Sequence, residues 1–230
     1  MKAITSCSGR ELVDMFNCAA VWLDANVPHI NSLNVFPVPD GDTGINMSLT
    51  LRSAMAEASK VSSGTASDVV RAISHGALMG ARGNSGVILS QILRGLTVPL
   101  NGKAHLDPGD FIAGLEAGSS LAYKAVSHPV EGTILTVIRE SAQAARQVAD
   151  KSDFNKVVET LVSTARDSVD KTPQLLDTLR DAGVVDAGAL GLYVIFEGFQ
   201  KYLNGEKIEV STSAPEPTSA AGAHGGEIAY

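Results

Sequence analysis

From Ser8 to Leu203 the apolar residues recur at three- and four-residue spacing, with no convincing period-two alternation, so this chain has to fold as packed helices rather than as a sheet. Capping signals divide that run. Ser8-Gly-Arg-Glu11 is a capping box before the stripe Leu12, Met15, Phe16, Ala19 and Leu23, and this helix is predicted to end before Pro28. A second helix follows Asp42, with Ile45, Leu49 and Ala56 as its stripe and Met55 beside it. Thr65-Ala-Ser-Asp68 opens a third, which carries Val69, Val70, Ile73 and Ala77 towards Gly80. Asn84-Ser85-Gly86 precede a fourth, short and very apolar, with Gly95 expected at its C′ position.

Asp107-Pro108 places a cap before a proline at the first helical position, and Phe111, Leu115 and Ala122 follow on the fifth helix. A sixth starts near Thr133, and a seventh at Ser152-Asp153. Thr172-Pro173 is expected to start a short piece carrying Leu175, Leu176 and Leu179. The last long helix follows Asp186 and ends near Gly205, with Gly188, Gly191 and Gly198 where another backbone comes close. The predicted architecture is all-α, an antiparallel bundle of about eight helices with its loops gathered at the two ends. Residues 1–210 form this one domain. From Ser211 the composition turns to Ser, Thr, Ala, Pro, Gly and Glu, so 211–230 is expected to be a flexible linker towards a further domain.

A net charge of −7 and the absence of any Lys/Arg run exclude a general nucleic-acid-binding surface. No apolar stretch approaches the roughly 20 residues needed to cross a bilayer, and the first residues carry no signal-peptide core, so a cytoplasmic location is expected. Cys7 and Cys18 have no ligand partner at zinc spacing and are read as reduced structural thiols. The five histidines are dispersed and do not pair.

Chemistry concentrates in Asn34-Val-Phe-Pro-Val-Pro-Asp40-Gly-Asp42-Thr43-Gly44-Ile-Asn46-Met47. Pro37 and Pro39 stiffen the approach, and Gly41 and Gly44 let the backbone turn around a bound group. Two carboxylates two residues apart on a tight loop can aim into one space, and magnesium takes one or two protein carboxylates together with phosphate oxygens. Asp40 and Asp42 are the candidate metal ligands, with Asn34 adding a neutral oxygen. The amides of the next helix's first turn are expected to be free to meet an anion. An EF-hand fails here, because Gly44, Ile45 and Leu51 stand where that loop needs an oxygen ligand, a glycine and a glutamate.

A second glycine-rich element, Gly80-Ala-Arg82-Gly83-Asn84-Ser85-Gly86, joins two helices and could hold phosphate on backbone donors, with Arg82 neutralising charge during transfer. It is neither a P-loop nor a dinucleotide fingerprint. Two more loops, Pro129–Thr133 and Asp181–Gly188, open helices on the same alternate beat of an up-down bundle. The helix N-termini would then form an electropositive basket at one end. Met47, Leu89 and Leu190 could touch a purine or could be ordinary core.

Together these stretches, with Tyr-Lys-Ala-Val at 123–126 and Pro-Val-Glu-Gly-Thr-Ile-Leu-Thr at 129–136, resemble the N-terminal kinase domain of bacterial fatty acid kinase. That domain belongs to the dihydroxyacetone-kinase-like superfamily. The resemblance covers about residues 8–210 and implies an eight-helix barrel holding ATP and two Mg2+ ions at one end. It implies metal binding at Asn34, Asp40 and Asp42, and phosphate contacts at Thr43 and Ser85. Gly44, Asn46, Met47, Gly83, Asn84, Gly86, Thr133, Asp186, Ala187 and Gly188 would complete the nucleotide site. The implied reaction is phosphorylation of a fatty acid carboxylate, presented by a separate DegV-type fatty-acid-binding protein, to an acyl phosphate for phospholipid synthesis. A homodimeric parent protein is compatible with it. Alternatives are a dihydroxyacetone kinase subunit and a non-catalytic nucleotide-binding module. Thr43, where dihydroxyacetone kinases have histidine, and the Asn34 loop disfavour the first, and the intact aspartates disfavour the second.

Overall fold

The computed structural model describes residues 3–61, 63–148 and 151–206, so the expected linker 211–230 lies outside the described residues. Nine α-helices are present among them. They are α1 (Gly9–Ser32), α2 (Thr43–Ala58), α3 (Ala66–Met79), α4 (Gly83–Gly95), α5 (Pro108–Ala125), α6 (Ile134–Arg146), α7 (Phe154–Leu175), α8 (Asp177–Ala182) and α9 (Ala187–Leu203). Each long helix packs on the next, and α9 follows α7 and closes back on α1, so the eight long helices form a ring. The six-residue α8 lies in the α7–α9 connection. Because neighbours run antiparallel, α2, α4, α6 and α9 all begin at the end of the barrel where α1 stops.

Inside the ring, Phe16, Phe111, Phe154 and Phe196 are among the largest fully buried side chains. Phe199 bridges them, with ring centroids 4.8 Å from Phe16 and 6.1 Å from Phe111. Each such phenylalanine contributes roughly 1.5–3 kcal/mol on burial, which makes this cluster a principal anchor of the barrel. Gly198 lets α9 lie against α1, since a Cβ there would sit 2.4 Å from Ala19 Cα. Burial pushes the Cys7 thiol up to about 12, so this cysteine remains an inert protonated core residue.

Both helix-breaking expectations for proline are corrected. α1 continues through Pro28 to Ser32, with Ile30 fully buried two residues beyond the proline. α7 continues through Pro173 to Leu175. There the carbonyl of Val169, which loses its amide partner at Pro173, accepts instead from Thr172 Oγ1 at 2.7 Å.

The buried face of α2 is Met47, Leu51, Ala54, Met55 and Ala58, while Ile45 and Ala56 are exposed. Gly95 is no C′ glycine. It is the last residue of α4, and a Cβ there would lie 2.1 Å from Gly118 N, so it marks where α4 and α5 touch backbone to backbone. A two-residue antiparallel pairing, Cys7–Ser8 with His105–Leu106, ties the far end of the barrel and is too short to show an alternating pattern.

Candidate functional site

At the end where α2, α4, α6 and α9 begin lies a cavity of about 510 Å³, a size suited to a small molecule. Asn34, Asp40, Asp42, Thr43, Asn46, Gly83, Asn84, Ser85, Thr133, Asp186 and Gly188, all singled out from the sequence, line it together. Gly44, Met47, Arg82, Gly86 and Ala187 do not.

Met47 is fully buried against α9, its Sδ filling the space beside Gly191. Leu89 is likewise core. Gly44 and Gly86 are small because α1 and Thr50 press on them: a Cβ would lie 2.9 Å from Asn31 Oδ1 in the first case and 2.4 Å from Thr50 Oγ1 in the second. Ala187 is a buried first residue of α9. Arg82 is the extended N-cap of α4, with an exposed side chain outside the cavity wall.

The expectation that α2 offers free first-turn amides is overturned. Asn34 Oδ1 accepts from the amides of Asp42 and Thr43 at 3.2 and 3.3 Å, while Asn34 Nδ2 donates to Val38 O at 3.0 Å. Asn31 Oδ1 accepts from the amides of Gly44 and Ile45 at 2.8 and 3.3 Å. Two asparagines at the end of α1 thus cap α2 from outside. In this arrangement Asn34 organises the loop with its whole amide.

Asp42 stands at the N-cap position but makes no side-chain cap bond. Neither its carboxylate nor that of Asp40 has a hydrogen-bond or ion-pair partner among the described residues. Both remain available to an external cation. No cluster of three or more His, Cys, Asp or Glu side chains occurs among the described residues, so protein groups alone do not complete a metal shell. Magnesium suits such a pair, since substrate phosphates and water usually supply its other ligands.

The N-termini of α6 and α9 are also satisfied internally. Buried Asp186 caps α9, its Oδ1 accepting from Ala189 N at 2.7 Å, and the same oxygen accepts from Ile134 N on α6 at 3.1 Å. Its own amide donates to Thr172 Oγ1 at 3.0 Å. Burial pushes the Asp186 carboxyl up to about 6, with its amide donors acting against that rise.

The folded state therefore holds this proton more tightly than the unfolded chain. The stability associated with protonated Asp186 is complete below about pH 4 and is lost as pH rises through about 6. Between pH 4 and 7, wild type is expected to lose about 2 kcal/mol of unfolding free energy relative to Asp186→Asn, because each tenfold difference in proton affinity between the folded and unfolded states is worth roughly 1.4 kcal/mol. Urea titrations of both proteins across that range measure it. The paired carboxylates with lowered values, such as Glu131 and Asp153, titrate in both proteins and cancel in the difference.

Only α4, among the four long helices that begin at this end, lacks a side-chain cap. The amides of Gly83, Asn84 and Ser85 have no partner among the described residues, and all three residues line the cavity. Gly83 adopts φ +57°, a conformation that favours glycine. The basket expected from several helix N-termini is thus reduced to one open N-terminus beside two unpartnered carboxylates.

Across the cavity, Val126, Ser127, His128 and Val130 from the α5–α6 loop add a wall, of which Val126 and Val130 fall in stretches singled out from the sequence while Ser127 and His128 do not. Glu131, expected in the basket, instead holds this loop. Its carboxylate accepts from Tyr123 Oη at 2.9 Å, Thr136 Oγ1 at 2.6 Å and Arg139 Nη2 at 2.8 Å. Lone residues such as Ser127 and His128 carry no local signal, because only the ring closure brings them to the same cavity as Asp40. With Ile88, Ile134 and Leu135, the valines form an apolar surface facing the polar loops.

A family model for the DAK2 domain matches residues 37–201. Protein YloV of Bacillus subtilis (strain 168) is 42% identical over 214 residues, which cover 93% of this chain and 39% of that protein. An uncharacterized protein of Staphylococcus epidermidis is 44% identical over 207 residues, covering 90% of this chain and 38% of its own length. The chain therefore spans about two fifths of the length of these relatives. Among solved structures, the native form of the dihydroxyacetone kinase of C. freundii superposes with a TM-score of 0.58 at 16% identity, over 87% of this chain and 35% of that one, a likeness of fold. With most of its helical ring inside the matched region and relatives above 40% identity along nearly all of it, this chain belongs to the DAK2 domain family.

Proposed function

We propose that this chain is the ATP-binding part of a kinase, with the triphosphate lying between the open N-terminus of α4 and the Asp40–Asp42 loop. The observation that carries the reading is that three unpartnered amides and two unpartnered carboxylates line the same cavity. The amides of Gly83, Asn84 and Ser85 would donate to phosphate oxygens, aided by the dipole of α4. Asp40 and Asp42 would hold magnesium, which when bound neutralises charge on the phosphates. Thr43 and Asn46 would order the polar side of the ligand, and Ile88, Val126 and Leu135 would pack on the base.

The phosphoryl acceptor is a fatty acid carboxylate carried by a separate DegV-type fatty-acid-binding protein, giving an acyl phosphate for phospholipid synthesis. A carboxylate is already ionised at pH 7, with a pKa near about 4.3 judging by glutamate, so the domain needs to supply positioning and charge stabilisation rather than a general base. Support for a protein carrier comes from the exposed apolar side chains. Apart from Val98, which follows α4 at the far end, every large apolar side chain exposed among the described residues, namely Val38, Ile45, Leu78, Met79, Val87 and Leu175, sits on a loop or helix end on the cavity side of the barrel. They would meet a carrier surface rather than water.

Calorimetric titration of ATP with and without magnesium tests the nucleotide site, and magnesium-dependent affinity is expected. The acceptor is tested by incubating the full-length parent protein with ATP and an acyl-loaded carrier. Acyl hydroxamate on trapping with hydroxylamine supports the fatty acid reading. Phosphorylation of dihydroxyacetone instead, under matched conditions, would favour the small-ketose alternative.

A further inference from the structure

Thr50 lies outside the cavity and outside every motif read from the sequence, yet it is fully buried on α2 directly beneath the loop that starts α4. Its Oγ1 donates to Asn46 O at 2.7 Å, a bond within its own helix, and accepts from Arg82 N at 3.3 Å, a bond between helices. Of the amides of residues 82–85, that of Arg82 alone has a partner among the described residues. The contact is close enough to exclude a side chain on Gly86, whose Cβ would lie 2.4 Å from the same hydroxyl oxygen.

Thr43, Asn46 and Thr50 stand at i, i+3 and i+7, one face of α2. All three meet the α4 loop. Ser85 Oγ donates to Thr43 O at 3.4 Å, and the Asn46 amide fills the space where a Gly83 Cβ would come within 2.5 Å of Nδ2. A single helix face thus supports the loop that carries the open amides, while the N-terminal end of the same helix carries Asp42.

We infer that Thr50 is a positioning residue that fixes the α4 phosphate loop at a set distance from the Asp40–Asp42 loop. This rests on the nucleotide reading above and adds to it the element that sets the spacing. A triphosphate bridging amides on one loop and carboxylates on another binds well only when that separation is held to within a fraction of an ångström. A hydrogen bond that Thr50 makes only within its own helix would leave the α4 loop untouched. The bond it accepts from Arg82 is the one that acts across the seam.

The test compares Thr50→Val, which keeps the shape and removes the hydroxyl, with Thr50→Ser, which keeps the hydroxyl. In the nucleotide-free chain, amide hydrogen exchange across residues 80–90 should quicken in the valine variant and return towards wild type in the serine variant. Magnesium-dependent ATP affinity should fall about tenfold in Thr50→Val, the loss expected for one hydrogen bond's worth of positioning, and stay within about twofold in Thr50→Ser. Circular dichroism should show both variants folded. Unchanged exchange and unchanged ATP affinity in Thr50→Val would overturn the inference, as would a serine variant as impaired as the valine one. A wild-type chain that binds no ATP while the exchange behaves as described would overturn the nucleotide reading and leave the tether standing.

Discussion

Replacing Asp42 with alanine is expected to lower magnesium-dependent ATP affinity by at least on the order of 100-fold while leaving the fold intact. The size follows from position. Changing groups that only orient metal ligands typically costs about 10–100-fold, and Asp42 is assigned as a ligand itself. Unchanged stability follows from the absence of any cap bond from its side chain: α2 is capped by Asn31 and Asn34, so Asp42→Ala should cost less than about 0.5 kcal/mol in urea unfolding. Asp40→Ala should behave in the same direction, since Asp40 is exposed and unpartnered. Calorimetry in the presence and absence of magnesium separates metal-linked loss from general damage. If both variants retain the magnesium dependence of wild type, these residues do not hold the metal.

Gly95→Ala tests the barrel wall rather than the site, and the sign of its effect is informative. In an ordinary helix the change would stabilise by roughly 0.5–1 kcal/mol, because alanine loses less backbone entropy on folding. Here the new Cβ would sit 2.1 Å from Gly118 N and 2.3 Å from Gly118 Cα. Neither is the end of a flexible side chain. Relief requires α4 and α5 to move apart, and Gly118 in turn lies against Ile92, where a Cβ on the glycine would come 2.5 Å from Ile92 O. The expected result is a loss of about 3 kcal/mol, at the upper end of the usual cost of overpacking. Urea unfolding measures it, and a stabilised variant would show that the two helices are not in backbone contact.

Helix existence was legible in the chain because its determinants are local. The Ser8–Glu11 and Thr65–Asp68 boxes form as read, and Asp107, Thr133, Asp153 and Asp186 each cap the helix expected of them. These bonds span two or three residues, so short-range pattern suffices to find them. The two internal prolines were misread for the opposite reason. Thr172 supplies a substitute donor within α7, and the burial of Ile30 continues α1, and neither follows from the proline itself. On α2 the apolar residues admit two stripes, and only the neighbours decide that Met47 and Leu51 face inwards.

What the chain determined by itself was the inventory: eight long helices, their order, and two short loops rich in carboxylate, glycine and hydroxyl. Tertiary structure decided which of those groups remain open to a ligand. Asn34 reaches amides eight and nine residues away, Asn31 reaches thirteen and fourteen, and Asp186 reaches one fifty-two residues away on α6, each from one element to another. Each such bond removes a donor that local pattern would count as available. The amides of Gly83, Asn84 and Ser85 and the carboxylates of Asp40 and Asp42 are left over because no partner among the described residues bonds to those groups, a condition set by the closure of the ring and invisible in any single segment.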